Sequence, residues 1–348
     1  MKNLTPRKNR RVRRNIRLTA FALTAAGVVA AAGTAAAPAS AAPSAYTPAK
    51  LAHGLLTVKG TAGSDEIVLR LQEGSPEILE VDVGHGYADY SFERDDVTRI
   101  VITAQAGGDL VSIDESNGAF TDSIPTTVRG GSGRDLLVGG SGAETLLGGD
   151  GNDSIDGNKG NDTARMGAGS DVFVWDPGDG SDVIEGQKGH DTMLFNGAAV
   201  ADQVDLSANG ARLKFFRNPG NITMDTAGVE QVDFKALDGA DLVTVNDLTG
   251  TDVDDVNLDL AGTPGGTAAD AQPDRIVVNG TAGNDAVTVS GNAGRVEVGG
   301  LAAAIAILHA DATNDRLEIE TLEGTDTVGS GGLDAGAIQL FVDGVVVP

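Results

Sequence analysis

Acidic residues recur at a fixed interval through the middle of this chain, and the interval decides what they can do. From Gly130 the sequence divides into nine-residue blocks, GGSGRDLLV, GGSGAETLL, GGDGNDSID, GNKGNDTAR and MGAGSDVFV, ending at Val174. After Trp175 and Asp176 come PGDGSDVIE and GQKGHDTML, ending at Leu194. The sixth position of successive blocks is Asp135, Glu144, Asp153, Asp162, Asp171, Asp182 and Asp191, and the fourth is glycine throughout. Carboxylates at one repeated spacing suit a hard cation. There is no cysteine, so a disulfide framework, a Cys-based zinc site and a thiol nucleophile are excluded. His53, His85, His190 and His309 are scattered, and no His-Glu-x-x-His, Gly-x-Ser-x-Gly or phosphate-binding glycine loop occurs.

The elements that would hold these acids follow from the block. Six glycine-rich residues make a tight turn, and the next three make a short strand whose middle residue points inward. That middle residue is Leu137, Leu146, Ile155, Ala164, Phe173, Ile184 and Met193 in turn. Two blocks close one coil of a parallel roll, so acids 18 residues apart stack on one rim: Asp135, Asp153 and Asp171 on one side, Glu144 and Asp162 on the other. Stacked strands lie ~4.8 Å apart, and calcium sits about 2.3–2.6 Å from each oxygen, so one ion fits between two turns. Two bare carboxylates ~4 Å apart repel by about 4 kcal/mol at an effective dielectric near 20, so the stack calls for such an ion. Magnesium prefers a wetter octahedral shell, and zinc prefers His or Cys.

These blocks resemble the RTX, or haemolysin-type calcium-binding, nonapeptide family, with its pattern G-G-x-G-x-D-x-(large apolar)-x; GGSGRDLLV and GGDGNDSID match every defined position. The resemblance implies a parallel β-roll with calcium held in the turns by sixth-position acids and backbone carbonyls. Carried over, it implicates Asp135, Glu144, Asp153, Asp162, Asp171, Asp182 and Asp191, with Gly130, Gly133, Gly139, Gly142, Gly148, Gly151, Gly157 and Gly160 of the turns. Glu144 departs from the pattern by one methylene, and Asp182 and Asp191 follow the insertion, at a spacing of 20 from Asp162 and Asp171. Three regular pairs and two across the insertion predict three to five calcium ions.

Around this array, residues 1–41 read as a signal peptide, with eight Lys/Arg, an alanine-rich apolar stretch and Ala39-Ser40-Ala41 as cleavage site. Residues 42–54 read as a linker, 55–128 as N-terminal solenoid rungs and 129–195 as the calcium-binding roll. A β-rich continuation over 196–261, a loop over 262–273 and C-terminal rungs over 274–348 complete an all-β parallel solenoid. The flanks share strand–turn–strand units, such as Gly60-Thr-Ala-Gly-Ser-Asp65 and Gly280-Thr-Ala-Gly-Asn-Asp285, without a regular period. Their acids Asp109, Asp241, Asp285 and Asp326 are therefore read as turn formers, since no partner turn is visible. Trp175 and Phe173 are read as core rather than as a sugar platform.

Beyond residue 41 the chain holds 17 Lys/Arg against 50 Asp/Glu, a net −33 that argues against nucleic acid and anionic membrane as partners. The expected function is that of a secreted, non-enzymatic calcium-binding protein that folds outside the cell. It would serve as a structural or adhesive component with a cell-surface glycan or protein as partner, and no membrane insertion once the signal is removed. The alternative is a polysaccharide lyase or epimerase on a calcium-stabilised solenoid, which would need a basic groove that the scattered cations do not supply.

Overall fold

Each coil carries its apolar residues at alternate positions, and this two-residue period leaves the chain one way to bury them: between two facing sheets. The computed structural model describes residues 48–347, so the predicted signal peptide lies outside the described residues. Within them the chain forms a fifteen-stranded and a fourteen-stranded sheet, with Arg94–Asp96 as the one short 3-10 turn. The architecture is the predicted β-solenoid. One edge departs from expectation: Ala49–Ala52, placed in the predicted linker, is a strand paired antiparallel to Leu55–Lys59. Ala49 is buried there and supplies the reason.

In the central segment the nine-residue period becomes geometry. Thr126–Ser132, Thr145–Asp150, Thr163–Gly169 and Val183–Gly189 are parallel neighbours in the first sheet. Leu136–Val138, Ser154–Asp156, Val172–Trp175 and Thr192–Asn196 are parallel neighbours in the second. Ser154 pairs with Leu136 and Thr163 with Thr145, the register that two blocks per coil require. All seven eighth-position residues, from Leu137 to Met193, are fully buried in a core continuous along the solenoid. First-sheet strands run longer than the three residues predicted, because the opening residues of the next block, such as Gly149 and Asp150, stay paired with Gly167 and Ala168. Turns on the two rims therefore differ in shape.

The flanks are rungs, but not purely parallel ones. Gln203–Asn209, Arg212–Asn218 and Ile222–Ala227 form an antiparallel meander inside the first sheet. Ala286–Asn292, Arg295–Gly299 and Ala304–Leu308 form one inside the second. Glu66–Gln72, Ser75–Asp82 and Tyr90–Glu93 form a third, at the end of the second sheet, and antiparallel hairpins at both ends of the first sheet bring the two sheets to nearly equal size. Where the first meander joins, Trp175, Phe195, Phe215 and Phe234 pack together, with Trp175 and Phe195 stacked at 4.0 Å. Trp175 and Phe173 are core, as predicted, and the indole N–H donates to the Gly180 carbonyl.

Candidate metal centre

The turns that join first-sheet strands to second-sheet strands form one rim, and the returning turns form the other. On the first rim each acid follows a long strand and precedes a short one, which fixes its carboxylate beneath the turn of the preceding coil. The amide of Asp135 donates to Oδ1 of Asp153 at 2.8 Å, that of Asp153 to Asp171 at 2.7 Å, and that of Asp171 to Asp191 at 2.9 Å. On the second rim the amide of Glu144 donates to Asp162 at 2.7 Å and that of Asp162 to Asp182 at 2.8 Å. All seven predicted acids thus enter two stacks, and the pairs across the insertion, 162/182 and 171/191, meet like the regular ones. The two extra residues bulge outward over 176–179 and leave the register intact.

These bonds use only one oxygen of each carboxylate. The second oxygen of Asp135, Glu144, Asp153, Asp162, Asp171, Asp182 and Asp191 is buried and has no hydrogen-bond partner among the described residues. None of these residues is more than 2% exposed. An unpartnered buried carboxylate oxygen costs several kcal/mol if it stays charged. Burial, reinforced by neighbouring carboxylates, pushes Asp162 up to about 9 and Asp153 and Asp182 up to about 7. Asp191 rises to about 6 for the same reasons, and burial also raises Asp135, Glu144 and Asp171. A row of such oxygens, one per turn, is the donor set a hard divalent cation takes. The residues present fit calcium.

Glycine is what admits these oxygens to their turns. At Gly130, Gly148 and Gly157, the space a Cβ would fill holds Oδ2 of the acid five residues on. Beside that oxygen lies a carbonyl of the next coil, Gly148 at Gly130 and Met166 at Gly148, so side-chain and backbone oxygens converge there. At the fourth position Gly133 and Gly151 adopt φ +124° and +131°, and a Cβ on Gly151 would overlap the Gly133 carbonyl oxygen. Glu144 reaches its place despite the extra methylene, taking the Gly140 amide on Oε2 and leaving Oε1 orphaned. Above it Glu115 caps the second rim by accepting from the Phe120 and Thr121 amides.

The stacks extend beyond the nonapeptides, which the sequence reading did not foresee. On the first rim the Asp65 amide donates to Asp109 and the Asp109 amide to Asp135, while the Asp191 amide donates to Glu230. On the second rim, past the meander, the amides of Asp202, Asp241 and Asp274 donate to Asp241, Asp274 and Asp315. The Asp285 amide donates to Asp326. The partner turns judged missing for Asp109, Asp241, Asp285 and Asp326 are present. They were invisible because partners lie 26 to 44 residues apart rather than 18. A signal existed: Asp65, Asp109, Glu230, Asp241, Asp285 and Asp326 each follow a glycine by two positions, as the nonapeptide acids do. Asp202, Asp274 and Asp315 lack even that mark.

The family model of the RTX calcium-binding nonapeptide repeat (4 copies) matches residues 126–153, 138–173 and 178–197. No curated protein matches the chain. The matched residues are those whose acids stack at the short spacing, and the orphaned oxygens there supply the donors that such repeats need. Residues 126–173 and 178–197 are thus matched as RTX calcium-binding nonapeptide repeats, and they fold here as a β-roll.

Proposed function

We propose that the chain is a secreted, non-enzymatic protein whose solenoid consolidates on extracellular calcium and serves as a structural or adhesive component of a cell surface or matrix. The observation that carries this reading is the seven buried carboxylates in two rows, each with one oxygen committed to a backbone amide, of the preceding coil for the six aspartates and of Gly140 for Glu144, and one left over. Without cations the rims repel; with them, adjacent coils are bridged. Sites built from acids and carbonyls have affinities of about 10⁻⁴–10⁻³ M in extracellular modules, which fill outside a cell and empty inside it. Three to five ions follow from the stacked pairs.

Two further observations support a role without catalysis. Arg70, Arg212, Arg217, Arg275, Arg295 and Arg316 each face a carboxylate of the protein itself, so they do not assemble a groove for an anionic polysaccharide. The carboxylates of the rims are engaged in stacking rather than gathered around a cleft. No helix among the described residues is long and apolar enough to cross a membrane. The test is a calcium titration of the purified chain followed by circular dichroism and bound-metal analysis, with and without chelator. Gain of strand signal and uptake of several ions are expected. An unchanged spectrum with no ion taken up would overturn the reading. Binding of glycans or surface proteins only in calcium would support the adhesive role, and turnover of uronic-acid polymers would replace it with the lyase or epimerase alternative.

A further inference from the structure

We propose that Asp241 and Asp274 form a further calcium site, in the rungs beyond the nonapeptide array. Both lie on the second rim, in returning turns that no nonapeptide block covers. The Asp241 amide donates to Oδ1 of Asp274 at 2.9 Å, the same linkage that joins Asp135 to Asp153. Asp241 is 2% exposed and Asp274 1% exposed, and Oδ2 of each is buried without a hydrogen-bond partner among the described residues. Two unmet carboxylate oxygens in consecutive turns are what the array presents to its ions.

The neighbouring rung shows how the same fold handles such a charge when a basic side chain is at hand. Asp202, whose amide donates to Asp241, receives Nη2 of Arg217 at 2.6 Å, and both residues of that pair are buried. Among the described residues no such cation is paired with Asp274. The adjacent Arg275 and Arg316 are turned to Glu318. A third acid is close: Asp270, in the 262–273 loop, accepts the Gly239 amide at 2.9 Å, which ties the loop to the turn that carries Asp241. Its charge acts on Asp241 and Asp274 together. At the end of the stack Asp315 takes the Asp274 and Asp311 amides, one on each oxygen, and closes it. Two buried acids and one loop acid, all oxygen, constitute a hard-cation site.

The site uses the chemistry of the array but does not depend on the array's being filled, and paired variants of the full chain separate the two. Calcium per chain is counted by metal analysis after dialysis at millimolar calcium, for D241N/D274N and for D153N/D162N. Asparagine keeps Oδ1 as acceptor for the stacked amide, so the strands remain joined. D241N/D274N is expected to lose one equivalent and to retain calcium-induced strand signal from the array. D153N/D162N is expected to retain the ion at Asp241. Undiminished calcium in D241N/D274N would overturn the proposal, whereas undiminished calcium in D153N/D162N would overturn the reading of the array instead. Hydrogen exchange of the unsubstituted chain gives a second readout: calcium should slow exchange over 239–245 and 270–279, and its failure to do so would also overturn the proposal.

Discussion

Replacing Asp153 with asparagine should move stability in opposite directions with and without calcium. Asp153 is the middle acid of the first-rim run, accepting the Asp135 amide and standing over Asp171. Burial and the flanking carboxylates raise it from 3.8 to about 7. For an acid raised on folding, the unfolded chain releases its proton first, so stability falls as pH climbs from about 4 to about 7 and is flat above. Three units at about 1.4 kcal/mol each give up to ~4 kcal/mol, on the order of half that after relaxation and water entry. Asparagine removes this penalty, keeps Oδ1 for the Asp135 amide, and places an amide donor beside the Met166 carbonyl that lies next to the orphaned oxygen. Metal-free Asp153→Asn should therefore be about 2–4 kcal/mol more stable than the parent at pH 7.5. In millimolar calcium the order should invert, because the ions bridging to Asp135 and to Asp171 both lose a charged ligand. Urea unfolding followed by circular dichroism, with chelator and with calcium, measures both arms. A variant less stable than its parent in chelator would refute the assignment of Asp153 as an uncompensated charge.

The same logic applies to the whole rim: since Asp162 rises to about 9 and Asp182 to about 7, metal-free protein should lose stability steadily from pH 5 to pH 9. Saturating calcium should flatten or reverse that slope in pH-dependent thermal melts. Gly151→Ala should destabilise by roughly 2–4 kcal/mol in either condition, because φ +131° and overlap with the Gly133 carbonyl are independent of the ion. Chemical unfolding of the alanine variant with and without calcium checks it. Arg217→Met should cost about 3–5 kcal/mol by leaving Asp202 buried and unpaired, and adding Asp202→Asn should restore much of it, as a double-mutant cycle would show.

The array was readable because its period is short and strict. Nine residues set the turn, the strand and the inward apolar position at once, so Asp135 to Asp191 could be assigned to stacks and Leu137 to Met193 to the core without any long-range information. The flanks kept the local chemistry, strand then glycine-containing turn then acid, but lost the period. Thus Gly107-Gly108-Asp109 was legible as a turn while its partner Asp135, 26 residues away, was not. The antiparallel meanders escaped for a related reason. The alternating residues of Arg212–Asn218 and Ile222–Ala227 are a strand pattern, but alternation does not reveal whether a strand runs with or against its neighbour. Arg217 was hidden most completely: its contact with Asp202 depends on how the meander folds back, and nothing near either residue signals it.

The stacked amides all point one way along the rod. Within each run of stacked acids, every acid but the last gives its N–H to the next acid in the chain, and every acid but the first takes one from the acid before it. Assembly is therefore polar, like a zipper with a single slider. A newly formed turn keeps an unmet donor until the following coil arrives, while its carboxylate is already engaged behind it. If winding starts near the amino end, the growing tip always displays a bare N–H and recruits its successor; if it starts near the carboxyl end, each incoming turn finds an acceptor already waiting.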